Sequence, residues 1–197
     1  MVKRFRWPLA LLLCGALALA TVATGCDTAT TEAREFMEQG DVILSGLGLK
    51  IDSMFEGLWG LSKEIAEGKI ASGSRYESAA VFVSADNDEY KRQLDNAKGE
   101  FEKILKLDGM DDYAEYAQLR LDSIENAYRF SDALSATLDD ISGVVVRIES
   151  GELAGGEAIA TELDQVLLVL QEKDKEISAE AAALLGKAGK LKEDKEL

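Results

Sequence analysis

From Glu32 onward, apolar residues recur at intervals of three and four, the spacing that lays one stripe along an α-helix. Phe36, Gly40, Ile43, Leu47, Ile51, Met54, Leu58, Leu61 and Ile65 predict a first long helix, ended by Gly68 and Gly73. Ser74-Arg75-Tyr76-Glu77 then has capping-box order, a hydroxyl and a carboxylate that can each satisfy the other's backbone amide. It opens a second helix with the stripe Tyr76, Ala80, Val83, Asn87, Tyr90, Leu94, Ala97, Phe101 and Ile104. Gly109 is placed to end it, with Met110 folding back on Leu105 in a Schellman closure. Asp111 or Asp112 caps the third helix, whose stripe is Tyr113, Ala117, Arg120, Ile124, Ala127, Ser131, Leu134, Leu138, Ile141, Val145 and Ile148. Alone, Val144-Val145-Val146 would suit a strand; inside this period it extends the helix. A turn between Gly151 and Gly156 leads to the fourth helix, striped by Ala160, Leu163, Leu167, Leu170, Asp174, Ile177, Ala181, Leu184, Ala188 and Leu191. Connections this short make neighbouring helices antiparallel. The expected fold is therefore all-α: an up-down-up-down four-helix bundle of long antiparallel helices over residues 32–197. Helices of about 30–38 residues would run roughly 45–57 Å.

Two departures from the pattern carry the functional questions. Asn87, Ser131 and Asp174 lie on the apolar stripes at nearly the same height, opposite Met54 and Phe55. Such a layer either fixes helix register through its own hydrogen bonds or forms the polar floor of a small-molecule pocket. A cavity of about 300–1,000 Å³ at that level would mark the second. Arg120, on the third stripe, is expected to snorkel or to pair with a helical carboxylate. The first helix holds Gly46, Gly48, Gly57 and Gly60, each costing about 0.8–1 kcal/mol relative to Ala. Close packing or a break in the helix should offset that cost. It also carries a second apolar stripe, Met37, Leu44, Phe55 and Trp59, readable as a wide buried face or as a partner surface. At 100° per residue, Phe55 falls about 80° from the seam and Trp59 about 120°, so Trp59 should be partly exposed.

The N-terminus belongs to a different pattern. Lys3, Arg4 and Arg6 precede an apolar run that ends in small residues, the layout of an export signal. Ala23-Thr24-Gly25-Cys26 closes it, and these residues resemble the lipobox of bacterial lipoproteins. The resemblance implies cleavage of residues 1–25, a diacylglycerol on the Cys26 sulfur, and a polar tether over residues 26–31 ahead of the bundle. It places the mature chain on the outer face of the cytoplasmic membrane, or at the outer membrane where the host has one. Its membrane partner would be the lipid on Cys26.

Composition narrows the chemistry. The chain carries a formal −15, and its basic leader contributes no acidic residue, so the mature surface is more acidic still. Nucleic acid and anionic headgroups are disfavoured as partners. Cys14 and Cys26 are the two cysteines, which leaves the mature chain without a disulfide. No histidine is present, removing the commonest general base and transition-metal ligand. Asp86-Asn87-Asp88 begins like a calcium loop, yet Lys91 stands where the turn needs Gly and Ala97 where a bidentate Glu belongs. Neither a phosphate loop nor a Gly-x-Ser-x-Gly elbow occurs. No catalytic residue, cofactor or metal site is expected. The sequence points to a non-enzymatic envelope lipoprotein that binds another protein or itself; the alternative is a ligand-capturing or sensor bundle.

Overall fold

The second-helix stripe is realised residue for residue: all nine positions from Tyr76 to Ile104 are buried. They lie on one helix, Gly73–Ile104, in the computed structural model, which describes residues 28–197. The leader, Cys26 and the lipobox lie outside the described residues. The helices are α1 (Thr28–Ser45), α2 (Gly48–Ala66), α3 (Gly73–Ile104), α4 (Asp111–Glu149) and α5 (Gly156–Lys195). The described residues contain no strand, and the chain is an all-α antiparallel bundle. Among them, no helix is long and apolar enough to cross a membrane.

The first predicted helix is in fact two. The Gly46 and Leu47 amides turn to the carbonyls of Ile43 and Leu44, both at 3.2 Å, and end α1 before α2 begins at Gly48. The glycines there lower the cost of leaving the helix. The buried α1 positions nevertheless keep the heptad of α2: Ala33, Met37, Gly40, Leu44 and Leu47 lead through Ile51 to Met54, Leu58, Leu61 and Ile65 by alternating steps of four and three. In α1 the buried stripe is Ala33, Met37, Gly40 and Leu44, while Phe36 and Ile43, expected on the seam, are half-buried. Met37 and Leu44 from the second stripe are thus core residues. Helix also begins earlier than expected, so Thr28 to Thr31 of the supposed tether are its first turn.

Close packing accounts for two glycines. A Cβ on Gly40 would stand 2.6 Å from the Phe101 ring, and one on Gly57 2.6 Å from Val83 Cγ2.

Three predicted caps are corrected. The α3 N-terminus starts at Gly73, whose amide donates to Glu149 Oε2 at 3.1 Å, and Ser74 offers its carbonyl to the Ser78 hydroxyl instead of capping Glu77. A carboxylate at a helix N-terminus also meets the positive end of its dipole. At the other end α3 stops at Ile104, so no Schellman closure forms at Gly109, and Leu105 is exposed. Gly109 takes its positive φ of 72° within the connection to α4. There the Met110 carbonyl receives the Ala114 amide at 2.8 Å, which makes Met110 rather than an aspartate the residue before the first turn.

The helices contribute to two compact units. The first combines residues 28–49, 93–126 and 178–197; the second, residues 50–92 and 127–177. Within the first, the packing of Gly40 on Phe101 and the Phe101–Tyr116 ring pair at 6.4 Å link α1, α3 and α4. Within the second, Gly57 meets Val83, Tyr76 donates to the Leu138 carbonyl, and Arg147 pairs with Glu162. Rising numbers on one helix meet falling numbers on the next, the signature of antiparallel neighbours.

Candidate functional site

In the second unit, Asn87, Ser131 and Asp174 are all buried, at 3%, 0% and 3% exposure. Asn87 Nδ2 donates to the Ser131 carbonyl at 3.1 Å and to Ser135 Oγ at 3.0 Å, while Ser131 Oγ donates back to Asn87 Oδ1. Both ends of the Asn87 amide are therefore used within α3 and α4. Asp174 comes from α5 and lies close enough to Tyr90 for its charge to matter. Burial pushes the Tyr90 hydroxyl well above its ordinary pKa, and the Asp174 carboxylate pushes it further. Beneath the layer, Phe130 packs against Phe55 at 5.6 Å and edge-on to Tyr90 at 6.2 Å. This geometry matches a register layer more closely than a pocket floor.

A groove of about 620 Å³ opens elsewhere in the unit, at the α2–α3 connection, where Glu64, Lys69, Ile70, Ser74 and Arg75 line it. None of the layer residues takes part. Arg75 is tied to the Lys69 carbonyl at 3.1 Å, and Lys69 to Glu67 at 2.7 Å. That ion pair lowers the Glu67 pKa and raises that of Lys69.

The two residues read as a partner surface part company. Phe55 is buried at 8% exposure against Phe130, because its position about 80° from the seam still reaches the interior; it is not available to a partner. Trp59 is 40% exposed. Two further apolar residues on α3 are more exposed than Trp59: Phe82 at 77% and Val81 at 52%. Their signal was present in the sequence as apolar side chains off the α3 stripe.

A polar cluster in the first unit was only half anticipated. Arg120, buried at 7% exposure, pairs through Nη2 with Asp41 Oδ1 at 2.9 Å. The Tyr116 hydroxyl lies 2.9 and 2.7 Å from the two Asp41 oxygens and donates to that carboxylate. Lys192 approaches the same carboxylate at 3.5 Å. The guanidinium also sits 5.8 Å from the Phe101 ring centre and 6.0 Å from that of Tyr116, within cation–π range. Burial raises the Tyr116 pKa above its ordinary value; Arg120 opposes this and Asp41 adds to it. A carboxylate partner for Arg120 was expected, but its identity was hidden because the predicted α1 stripe fell on Phe36 and Ile43 instead of Met37 and Leu44.

Among the described residues, no group of three or more acidic, Cys or His side chains is arranged to hold a metal ion. In comparisons with known proteins, the chain matches no family model, no curated protein and no solved structure.

Proposed function

We propose that this chain is a bacterial envelope lipoprotein, anchored through Cys26, whose helical domain acts as a non-enzymatic interaction module. The observation that supports the reading best is the contrast on α2: Phe55 is enclosed by its own chain, whereas Trp59, one turn on, is 40% exposed. A large aromatic held part-exposed on a rigid helix is a frequent contact anchor. The acidic charge of −15 keeps such a domain soluble beside the bilayer and leaves apolar surface as its means of contact.

Anchoring and interaction are tested separately. Cys26→Ala should abolish metabolic labelling by a fatty acid and block processing of the leader; a label that persists would remove the anchor. Trp59→Ala should leave the helical spectrum intact and reduce what co-purifies with the protein from native membranes. An unchanged set of co-purifying proteins would count against Trp59 as the contact.

A further inference from the structure

Helix α5 is built differently in its two halves. Over residues 156–177, which belong to the second unit, Ile159, Leu163, Leu167, Leu170, Asp174 and Ile177 are all buried. The stripe continues in the first unit through Ala181, Leu184, Ala188 and Leu191. Of these only Ala188 is buried, and the other three are half-buried. Gly186 and Gly189 lie in the same stretch, and a Cβ on either would meet nothing within 4 Å. Unlike Gly40 and Gly57 they admit no close neighbour, so they weaken the helix without a gain in packing. The second half thus keeps the helical pattern with little of the burial that holds a helix in place.

Charge ties this half to the first unit. Lys192 stands 3.5 Å from Asp41 Oδ2 on α1 and 5.8 Å from the centre of the Tyr116 ring on α4. Lys195 pairs with Asp112 on α4 at 2.9 Å. All four charged side chains are at least 25% exposed, so neither pair is strong. Ser178 and Glu180, at the start of this half, are engaged, so release begins beyond them. Asp41 does not depend on Lys192. Arg120 Nη2 holds Asp41 Oδ1 at 2.9 Å, and the Tyr116 hydroxyl lies 2.7 Å from Oδ2. When Lys192 leaves, no buried carboxylate is stranded, which removes the main penalty for opening.

We infer that residues 181–197 form a strap that comes off the α1–α4 face of the first unit as one piece, while α1, α3 and α4 stay folded. Segments with few buried apolar contacts are the ones that open locally. Release uncovers the Asp41 carboxylate and the Tyr116 side chain, so this face alternates between a covered and an open form. Lys192 and Lys195 on the strap close it again on Asp41 and Asp112. Strap release needs neither the anchor at Cys26 nor contact through Trp59.

Amide hydrogen exchange on the full chain, without denaturant, provides the test. Amides from Leu184 to Lys192 should exchange together, about a hundredfold faster than those from Leu163 to Leu170 on the same helix. Amides of Met37 to Leu44 on α1 and of Ala117 to Ile124 on α4 should stay protected. Gly186→Ala combined with Gly189→Ala should slow the strap about tenfold or more and leave Leu163 to Leu170 unchanged. Lys192→Met should speed it about threefold. Equal protection in the two halves would overturn the strap. So would protection that declines steadily from residue 181 to 197, which is fraying of a helix end. Loss of protection in α1 and α4 at the strap's own rate would mean that the whole unit opens. Exchange unchanged by the two alanines would show that this stretch does not melt on its own, and exchange unchanged by Lys192→Met would remove the charged closure.

Discussion

In the first unit the polar interior is charged: Arg120 and Asp41 meet at 2.9 Å beneath Tyr116, with Lys192 at the edge. In the second it centres on a neutral amide and two hydroxyls, Asn87, Ser131 and Ser135, with the Asp174 carboxylate set near Tyr90. Both solutions place most of their buried polar atoms in hydrogen bonds, although Arg120 Nε makes none, and they differ in what happens when one partner goes. An ion pair leaves behind a buried charge, whereas a neutral hydrogen bond leaves a group that its own helix can take up again. The surfaces differ as well. Exposed large apolar residues in the first unit are Val42, Leu49 and Leu105, on α1, the start of α2 and the connection after α3; in the second they are Trp59, Val81, Phe82, Val146, Leu168 and Val169. The second unit, which buries the Asp174 carboxylate beside its neutral amide and hydroxyls, also carries Trp59 and the exposed Val81 and Phe82 of α3.

Alkaline pH strikes both units and should have the largest effect. Burial raises the pKa of Tyr116 in the first unit and of Tyr90 and Tyr76 in the second, Tyr76 being pushed up to about 12 from an ordinary 10.0. The folded chain thus holds these protons more tightly than the unfolded chain. Stability from this source is complete below pH 10 and is lost as pH rises from about 10 to 12. Helix content and tyrosinate absorbance, followed together, should change in one cooperative step. Tyrosinate that appears gradually while the helices persist would show that the rings are open to solvent.

Arg120→Ala should be the most damaging single change of a polar group. Removing one member of a buried pair costs about 3–5 kcal/mol. Because the Asp41 side chain keeps 25% exposure, a value near 3 kcal/mol is expected from denaturant melts. Replacing the cluster as a set, with Arg120→Met, Asp41→Leu and Tyr116→Phe, should recover most of that loss. A triple variant no more stable than Arg120→Ala would mean that the charges hold the unit's geometry and cannot be replaced by packing.

How far these differences could be read in advance depended on helix phase. In α3, α4 and α5 no break interrupts the pattern, and most stripe positions are buried; the polar layer followed from the same count. In α1 the predicted stripe took two successive steps of four, Ile43 to Leu47 to Ile51, which put Phe36 and Ile43 where Met37 and Leu44 belong; a strict alternation of four and three carried back from α2 reaches Leu44, Gly40, Met37 and Ala33. The glycines signalled trouble, but spacing alone cannot tell a glycine that breaks a helix, like Gly46, from one that admits a neighbour, like Gly40 under Phe101. Asp41 was missed for the same reason.

In the second unit, Asn87→Leu is expected to cost about 1–2 kcal/mol, below Arg120→Ala. Ser135 already donates to the Ser131 carbonyl at 3.1 Å, and Ser131 can turn its hydroxyl to its own helix. The variant leaves no charge stranded. A loss as large as that of Arg120→Ala, measured in the same denaturant, would erase the distinction between the two interiors.

The smallest effect sharpens the comparison at two glycines, one from each unit. At Gly40 an added methyl would stand 2.6 Å from the ring of Phe101, which is itself wholly buried, so Gly40→Ala must displace packed core. Overpacking of this kind costs about 1–3 kcal/mol, against a gain of about 0.8–1 kcal/mol in helix propensity. At Gly60 the same methyl meets nothing within 4 Å, so the propensity gain stands alone. Gly60→Ala should therefore stabilise the monomer by up to about 1 kcal/mol, while Gly40→Ala destabilises it or at best breaks even. Melting each variant at low protein concentration, where copies are dissociated, isolates the monomer term. Should Gly60→Ala lower the melting point under those conditions, something in its own chain occupies that face.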